Sequence, residues 1–178
     1  ARLDLGGIQL DNANPIQLTS DVFLAKIDPN GVVLWAVAGG GVEDDEVGGL
    51  AVDKFGQIYL TGGFRDIAEF NGQNVFSMGG QDIFLVRYDK DGNMIWIDTS
   101  GGDNDDSGRD VVVDAFGTVF VAGNFRSDVA YFAFLEVYNT ENLNNSDIFI
   151  ASYDSLSLPL WAMRTGGTGF ESVNAMTM

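Results

Sequence analysis

Apolar residues in this chain fall in short runs rich in Val, Ile, Leu, Phe, Tyr and Trp, and Gly, Asp and Asn punctuate them. Short runs of these residue types between turn residues predict β-strands. They place strands near 47–53, 57–63, 82–89 and 93–99, and again near 108–114, 118–124, 147–154 and 158–164. An earlier stretch, 21–38, predicts two more. Four positions between runs carry Asp-x-x-Gly: Asp28 to Gly31, Asp53 to Gly56, Asp89 to Gly92 and Asp114 to Gly117. Asp accepts hydrogen bonds from a turn backbone and Gly takes a positive φ without penalty, so these are hairpin turns. Asp154-Ser-Leu-Ser-Leu-Pro159 breaks the rule and predicts a longer or kinked turn.

The pattern repeats. Asp21-Val-Phe-Leu-Ala-Lys-Ile-Asp28, Asp82-Ile-Phe-Leu-Val-Arg-Tyr-Asp89 and Asp147-Ile-Phe-Ile-Ala-Ser-Tyr-Asp154 read alike. Trp35, Trp96 and Trp161 follow in step, 61 and then 65 residues apart. Each is followed by a Gly pair: Gly40-Gly41, Gly101-Gly102 and Gly166-Gly167. Acids come next at Asp44-Asp45 and Asp105-Asp106, with Phe170-Glu171 in the third copy. Four strands per unit at a near-constant period predict an all-β fold, a β-propeller of four-stranded antiparallel blades. Residues 1–178 read as a single propeller segment, with repeat units at about 3–65, 66–126 and 127–178. In blade terms this is an incomplete arc of about three: part of one (21–38), two whole (47–99 and 108–164) and the start of another (173–178). An unclosed arc leaves strand edges bare, so the chain is expected to be a piece of a longer protein.

These motifs resemble the SBBP-type bacterial β-propeller repeat and, more distantly, NHL-type repeats. The shared grammar runs Asp-x-Phe-hydrophobic-x-Lys/Arg, Asp-x-x-Gly, Trp, Gly-Gly-x-x-Asp-Asp, then Val-Asp-x-x-Gly-x-Ile/Val-Tyr/Phe-x-x-Gly. Ala68-Glu-Phe-Asn-Gly72 and Leu3-Asp-Leu-Gly-Gly7 are similar to that family's link between second and third blade strands. The resemblance implies a propeller in bacterial secreted or surface proteins and transfers no catalytic motif.

Composition narrows the chemistry. The chain has no Cys and no His and a net charge of −17. Thiol chemistry, Cys or His zinc sites and His-based acid–base catalysis are excluded within it. Nucleic-acid phosphates and anionic membrane surfaces would be repelled. The longest clean apolar runs, 32–38 and 129–135, are too short to span a bilayer.

Side chains at equivalent places in every unit read as packing, and Trp35, Trp96 and Trp161, with Phe23, Phe84 and Phe149, are expected between blades. Lys26 and Arg87 predict a pairing with a neighbouring acid or an apolar stem lying over the sheet. Arg65 and Arg126 predict a loop held through carbonyls, with no anion site. The acidic loops allow two readings. Asp44, Asp45, Asp105 and Asp106 either accept backbone N–H bonds or act as ligands of calcium, which takes carboxylate and carbonyl oxygens. The stretch 127–146 departs most from the repeat. Its aromatic run, including Tyr131, Phe132, Phe134 and Leu135, is either a flap over its own blade or a partner surface. Asn144-Asn-Ser146 matches a glycosylation acceptor.

The function these features predict is a non-catalytic, extracellular or cell-surface scaffold, adhesion or interaction module in a bacterium. A protein partner or self-assembly is favoured over a small molecule. The alternatives are a polysaccharide-binding or polysaccharide-cleaving propeller, with a glycan as ligand, and a structural subunit of a filament or surface layer. No cofactor other than calcium is suggested.

Overall fold

A computed structural model describes residues 2–14, 16, 19–139 and 145–178. Every regular element among them is a β-strand, and all strand pairing is antiparallel. A hairpin of β1 (Arg2–Leu5) and β2 (Ile8–Asp11) comes first, followed by the paired β3 (Val22–Ile27) and β4 (Val33–Gly41). β5 (Glu46–Val52), β6 (Ile58–Phe70), β7 (Gln73–Tyr88) and β8 (Met94–Ser100) form one complete four-stranded blade. The next blade is β9 (Asp106–Val113), β10 (Val119–Phe125), β13 (Asp147–Tyr153) and β14 (Pro159–Thr165), interrupted by the hairpin β11 (Val129–Phe132) and β12 (Leu135–Tyr138). The expected strands agree with these to within a few residues, and the fold is an open arc of propeller blades.

β6 and β7 run further than the sequence predicts. Beyond the blade they continue as an arm, Ile67–Phe70 paired with Gln73–Phe76, and the arm hydrogen-bonds the end of the preceding blade through Ala68–Phe70 and Gly39–Gly41. β11 and β12 form the equivalent arm in the next unit. Gly101 and Tyr131 exchange two backbone hydrogen bonds there, at 3.1 and 2.7 Å. Within the stretch that departs from the repeat, residues 129–138 are therefore a hairpin that clasps the blade before it. Asn144, and with it the glycosylation reading, lies outside the described residues. The strand expected from 173 is not formed; Met176 N–H instead donates to Asp110 Oδ2 on β9 at 2.5 Å.

The core lies between blades, because a strand with side chains alternating between two faces feeds two interfaces. Ile58 and Leu60 of β6, with Phe84, Val86 and Tyr88 of β7, join Val22 and Leu24 of the first blade. Tyr59, Ile83 and Leu85, on the other faces of the same strands, join Val111, Val121, Phe149 and Tyr153 of the last. Phe84 and Phe149 are buried as expected, whereas Phe23 faces out from the first blade.

The turn at 154–158 corrects the expectation of a longer or kinked connection. Asp154 Oδ1 accepts from Leu156 N–H and Leu158 N–H at 2.8 and 2.9 Å. Asp89 does the same with Asp91 and Asn93, at 2.8 and 2.9 Å. Ser157 takes the conformation that Gly92 holds in the preceding unit, with φ 68° against 86°. The Asp cap therefore sets this turn even without glycine, at the cost of left-handed strain. Ser157→Gly is expected to stabilise the chain by up to about 1 kcal/mol, read as a higher melting temperature. A lower one would show that the serine side chain supports the turn.

Candidate functional site

Polar side chains concentrate at the junctions between blades, at both rims. At one rim each blade's aromatic corner docks on the next blade's turn. Trp35 Nε1 and Lys26 Nζ both donate to the Lys90 carbonyl, at 3.2 and 2.9 Å. One unit on, Trp96 Nε1 and an Arg87 guanidinium N–H both donate to the Ser155 carbonyl, at 3.1 and 2.7 Å. Lys54 Nζ makes a similar reach to the Ala115 carbonyl at 2.7 Å. Trp35 and Trp96 thus pack between blades as expected. Lys26 and Arg87 instead meet a backbone carbonyl of the following blade. In the last blade Ser152 and Trp161 occupy these places, and Trp161 is 41% exposed.

At the other rim the Gly pairs meet the acidic loops. Gly40 and Gly101 have φ of 147° and 148°. A Cβ at Gly40 would collide with the Asp21 and Asp45 carboxylates, and one at Gly101 with those of Asp82 and Asp106. Glycine at these corners therefore lets two acids approach from either side. Asp45 accepts from Gly41 N–H and Arg65 N–H at 2.6 and 3.2 Å. Asp106 accepts from Arg126 N–H, Ser127 N–H and the Ser127 hydroxyl at 2.8, 3.1 and 2.7 Å. Asp82 accepts from Met78 N–H and Gly102 N–H at 2.5 and 3.3 Å. Burial disfavours the charged form at all three, and neighbouring acids add to it at Asp45 and Asp82. Asp45 and Asp106 are raised to about 6 and Asp82 to about 7.

The other two acids of the loops are more exposed and carry charge easily. Asp44 accepts from the Ser20 N–H and hydroxyl, both at 2.8 Å, which hold it below the usual carboxylate range. Asp105 accepts from Gln81 N–H at 3.0 Å and faces the Arg65 guanidinium at 2.9 Å, and is lowered likewise. Arg65 thus meets a carboxylate of the next blade where a carbonyl was expected. All four acids considered as calcium ligands face N–H donors. Among the described residues no three acidic side chains converge on a place for a cation.

The aromatic run separates by face. Tyr131 is 41% exposed and Phe134 69% exposed, while Leu135 is partly buried against the core. Phe132 is fully buried, its ring 5.0 Å from that of Phe149. This corrects the reading of Phe132 as a partner residue: strand alternation turns it inward between two outward aromatics. Phe70 holds the same place one unit earlier, 5.0 Å from Phe84.

A cavity of about 290 Å³ opens where the last described segment meets the two preceding blades, and its lining includes Gln81, Asp105, Arg109, Asn124, Arg126 and Phe170. Sequence reasoning missed Arg109 and Asn124. The signal was available, since the preceding unit has Gly48 and Gly63 at those places.

No family model matches the chain. Two curated proteins resemble it. One is an uncharacterized WD repeat-containing protein of Acanthamoeba polyphaga mimivirus, 24% identical over 185 residues that cover 88% of this chain. The other is the regulatory protein FlaEY of Caulobacter vibrioides, 31% identical over 122 residues that cover 66% of it. The chain spans 13% of the length of each. WD repeats build propeller blades, so the first likeness agrees with the architecture described above.

Proposed function

We propose that the chain is part of a non-catalytic propeller scaffold that works by holding partners, in the manner of SBBP-type repeats on the bacterial cell surface or outside the cell. One observation carries this reading: the polar side chains that recur from unit to unit are engaged in joining blades. The indoles and the Lys or Arg beside them bind turn carbonyls, and the loop acids bind backbone N–H groups. Repetition of this kind serves assembly of the arc. The likeness to a WD repeat protein supports the same reading.

The arms supply the contact surface. Ile67 and Phe76 on one arm, Met78 just beyond it, and Tyr131, Phe134 and Tyr138 on the next arm are exposed apolar side chains. Exposed aromatic groups of this kind mark association surfaces. Two measurements test the proposal. Incubation with a panel of polysaccharides and peptides is expected to give no turnover, and turnover that tracks purified protein would overturn the non-catalytic reading. Immunolabelling of intact producing cells is expected to reveal the chain at their surface or in the medium. Signal confined to the cell interior would overturn the location.

A further inference from the structure

The junctions are built on one plan, and the last of them lacks one of its parts. At the first, Asp44 accepts from Ser20; at the second, Asp105 accepts from Gln81 and from the Arg65 guanidinium. The third has Ser146 in place of Ser20 and Gln81, and Arg126 in place of Arg65. Where the two aspartates stood it has Phe170. The phenylalanine ring does not fill the vacated place, since it is 72% exposed. Arg126 is left to reach back to Asp105 at 3.9 Å, an acid that Arg65 already holds at 2.9 Å.

Two further departures from the repeat converge on the same spot. Arg109 and Asn124 replace the small Gly48 and Gly63 of the preceding unit, and both line the cavity with Arg126, Ser107 and Ser146. Arg109 is 3.4 Å from Glu46, and Asn124 Nδ2 donates to the Glu171 carbonyl at 2.6 Å. Side chains that recur in every unit hold the blades together. These side chains occur once and meet in one cavity.

We propose that this cavity binds a carboxylate carried on a small, hydroxyl-rich molecule, the chemistry of a uronic acid. The ligand's carboxylate takes the place that aspartate holds at the two preceding junctions, against Arg126. A guanidinium suits this role because its planar fork matches a carboxylate. Ser107 and Ser172 offer hydroxyl groups to the ligand's own hydroxyls, Ser146, whose hydroxyl donates to the Glu171 carbonyl at 3.3 Å, offers an acceptor oxygen, and the exposed Phe170 ring offers an apolar face at the mouth. The volume suits a single sugar ring and lies near the lower end of the ligand-site range. Arg109 and Arg126 are balanced by Asp105 and Glu171 in the lining, so recognition is local. The chain's net charge of −17 gives an anion no long-range attraction. The inference is independent of the scaffold reading.

The test is titration of the whole chain with glucuronate, glucose and acetate, followed through the backbone amide resonances of Ser146 and Ser172. Glucuronate is expected to saturate with a Kd on the order of 1 mM, and glucose and acetate to bind at least about tenfold more weakly. Phe170→Asp restores the residue that the repeat dictates. It is expected to abolish glucuronate binding while leaving the melting temperature unchanged or higher, which separates loss of binding from loss of fold. Arg126→Gln is expected to weaken binding at least about tenfold; should Phe170→Asp melt early, this variant decides. Glucose binding as tightly as glucuronate, no saturation, or unchanged binding in the decisive variant would overturn the proposal.

Discussion

Acidification from pH 8 to pH 5 is expected to raise the melting temperature of this protein. Asp45 and Asp106 are raised to about 6 and Asp82 to about 7, all three chiefly by burial. Asp98 is raised to about 6 for the same reason. In the unfolded chain an aspartate titrates near 3.9. Between that value and the folded ones, the folded state binds more protons than the unfolded state, so stability falls as pH rises through the window. It is fully present below about pH 4 and lost by about pH 8. A tenfold difference in proton affinity between the two states corresponds to about 1.4 kcal/mol, and with allowance for coupling between neighbours the four groups together give about 4 kcal/mol, or ~10 °C. The groups facing these acids act in the same sense: Asp21 and Asp44 beside Asp45, and Asp105 and Asp106 beside Asp82. Below about pH 4 the trend reverses, because Asp44 and Asp105 are held low by the N–H groups of Ser20 and Gln81 and lose those bonds on protonation. Relief of overall repulsion in so acidic a chain adds to the rise, and one variant isolates the local contribution. Asp82→Asn keeps an oxygen for Met78 N–H, gives up the longer bond from Gly102 N–H at 3.3 Å, and carries no charge beside Asp106. It is expected to raise the melting temperature at pH 8 and to flatten the profile. A profile equally steep in the variant would show that the buried pair does not set it.

The strands, the blade order and the packing role of Trp35 and Trp96 were legible in the sequence because repetition fixes them. Trp35 and Trp96 recur with their Gly pairs, and the blades follow. What the tryptophans and their partner cations hold was not legible. Their acceptors are the backbone carbonyls of Lys90 and Ser155, which carry no side-chain signal. The arms were missed for a different reason. Ala68 to Gly72 is a recognisable link, but its alternation covers only four residues on each side of the turn. In the next arm the turn has no glycine at all: Ala133 takes the left-handed φ of 52° instead. Without that punctuation, Val129 to Leu135 reads as one aromatic run. The acidic loops were legible as a recurring motif, but the pairing of their acids across Gly40 and Gly101 depends on Asp21, just before β3, and on Asp82 of β7. Arg109 and Asn124 were visible as departures from the repeat, and their meeting in one cavity follows only from the register of β9 and β10.

Truncating Phe132 to Ala is expected to be among the most damaging single changes in the chain, at about 3–5 kcal/mol, whereas Phe134→Ala two residues on is expected to cost less than about 0.5 kcal/mol. Both rings belong to one hairpin, but only Phe132 is fully buried, packed on Phe149 within the core shared by two blades. Its loss leaves a cavity under the arm that Ala130 and Val137 cannot close, since both are already buried in the same cluster. The damage reaches the blade before it. The arm is tied there by the paired hydrogen bonds of Gly101 and Tyr131, and Phe132 is the largest of the hairpin side chains buried in the core beside them. Chemical denaturation gives the energies, and hydrogen exchange at Tyr131 N–H reports the release of the clasp. Phe70→Ala, the same anchor one unit earlier, is expected to match Phe132→Ala in magnitude and to expose the arm of Ile67–Phe70 in the same way. If Phe134→Ala proved the costlier of the two arm variants in the isolated chain, the arm would not be anchored by its inward ring.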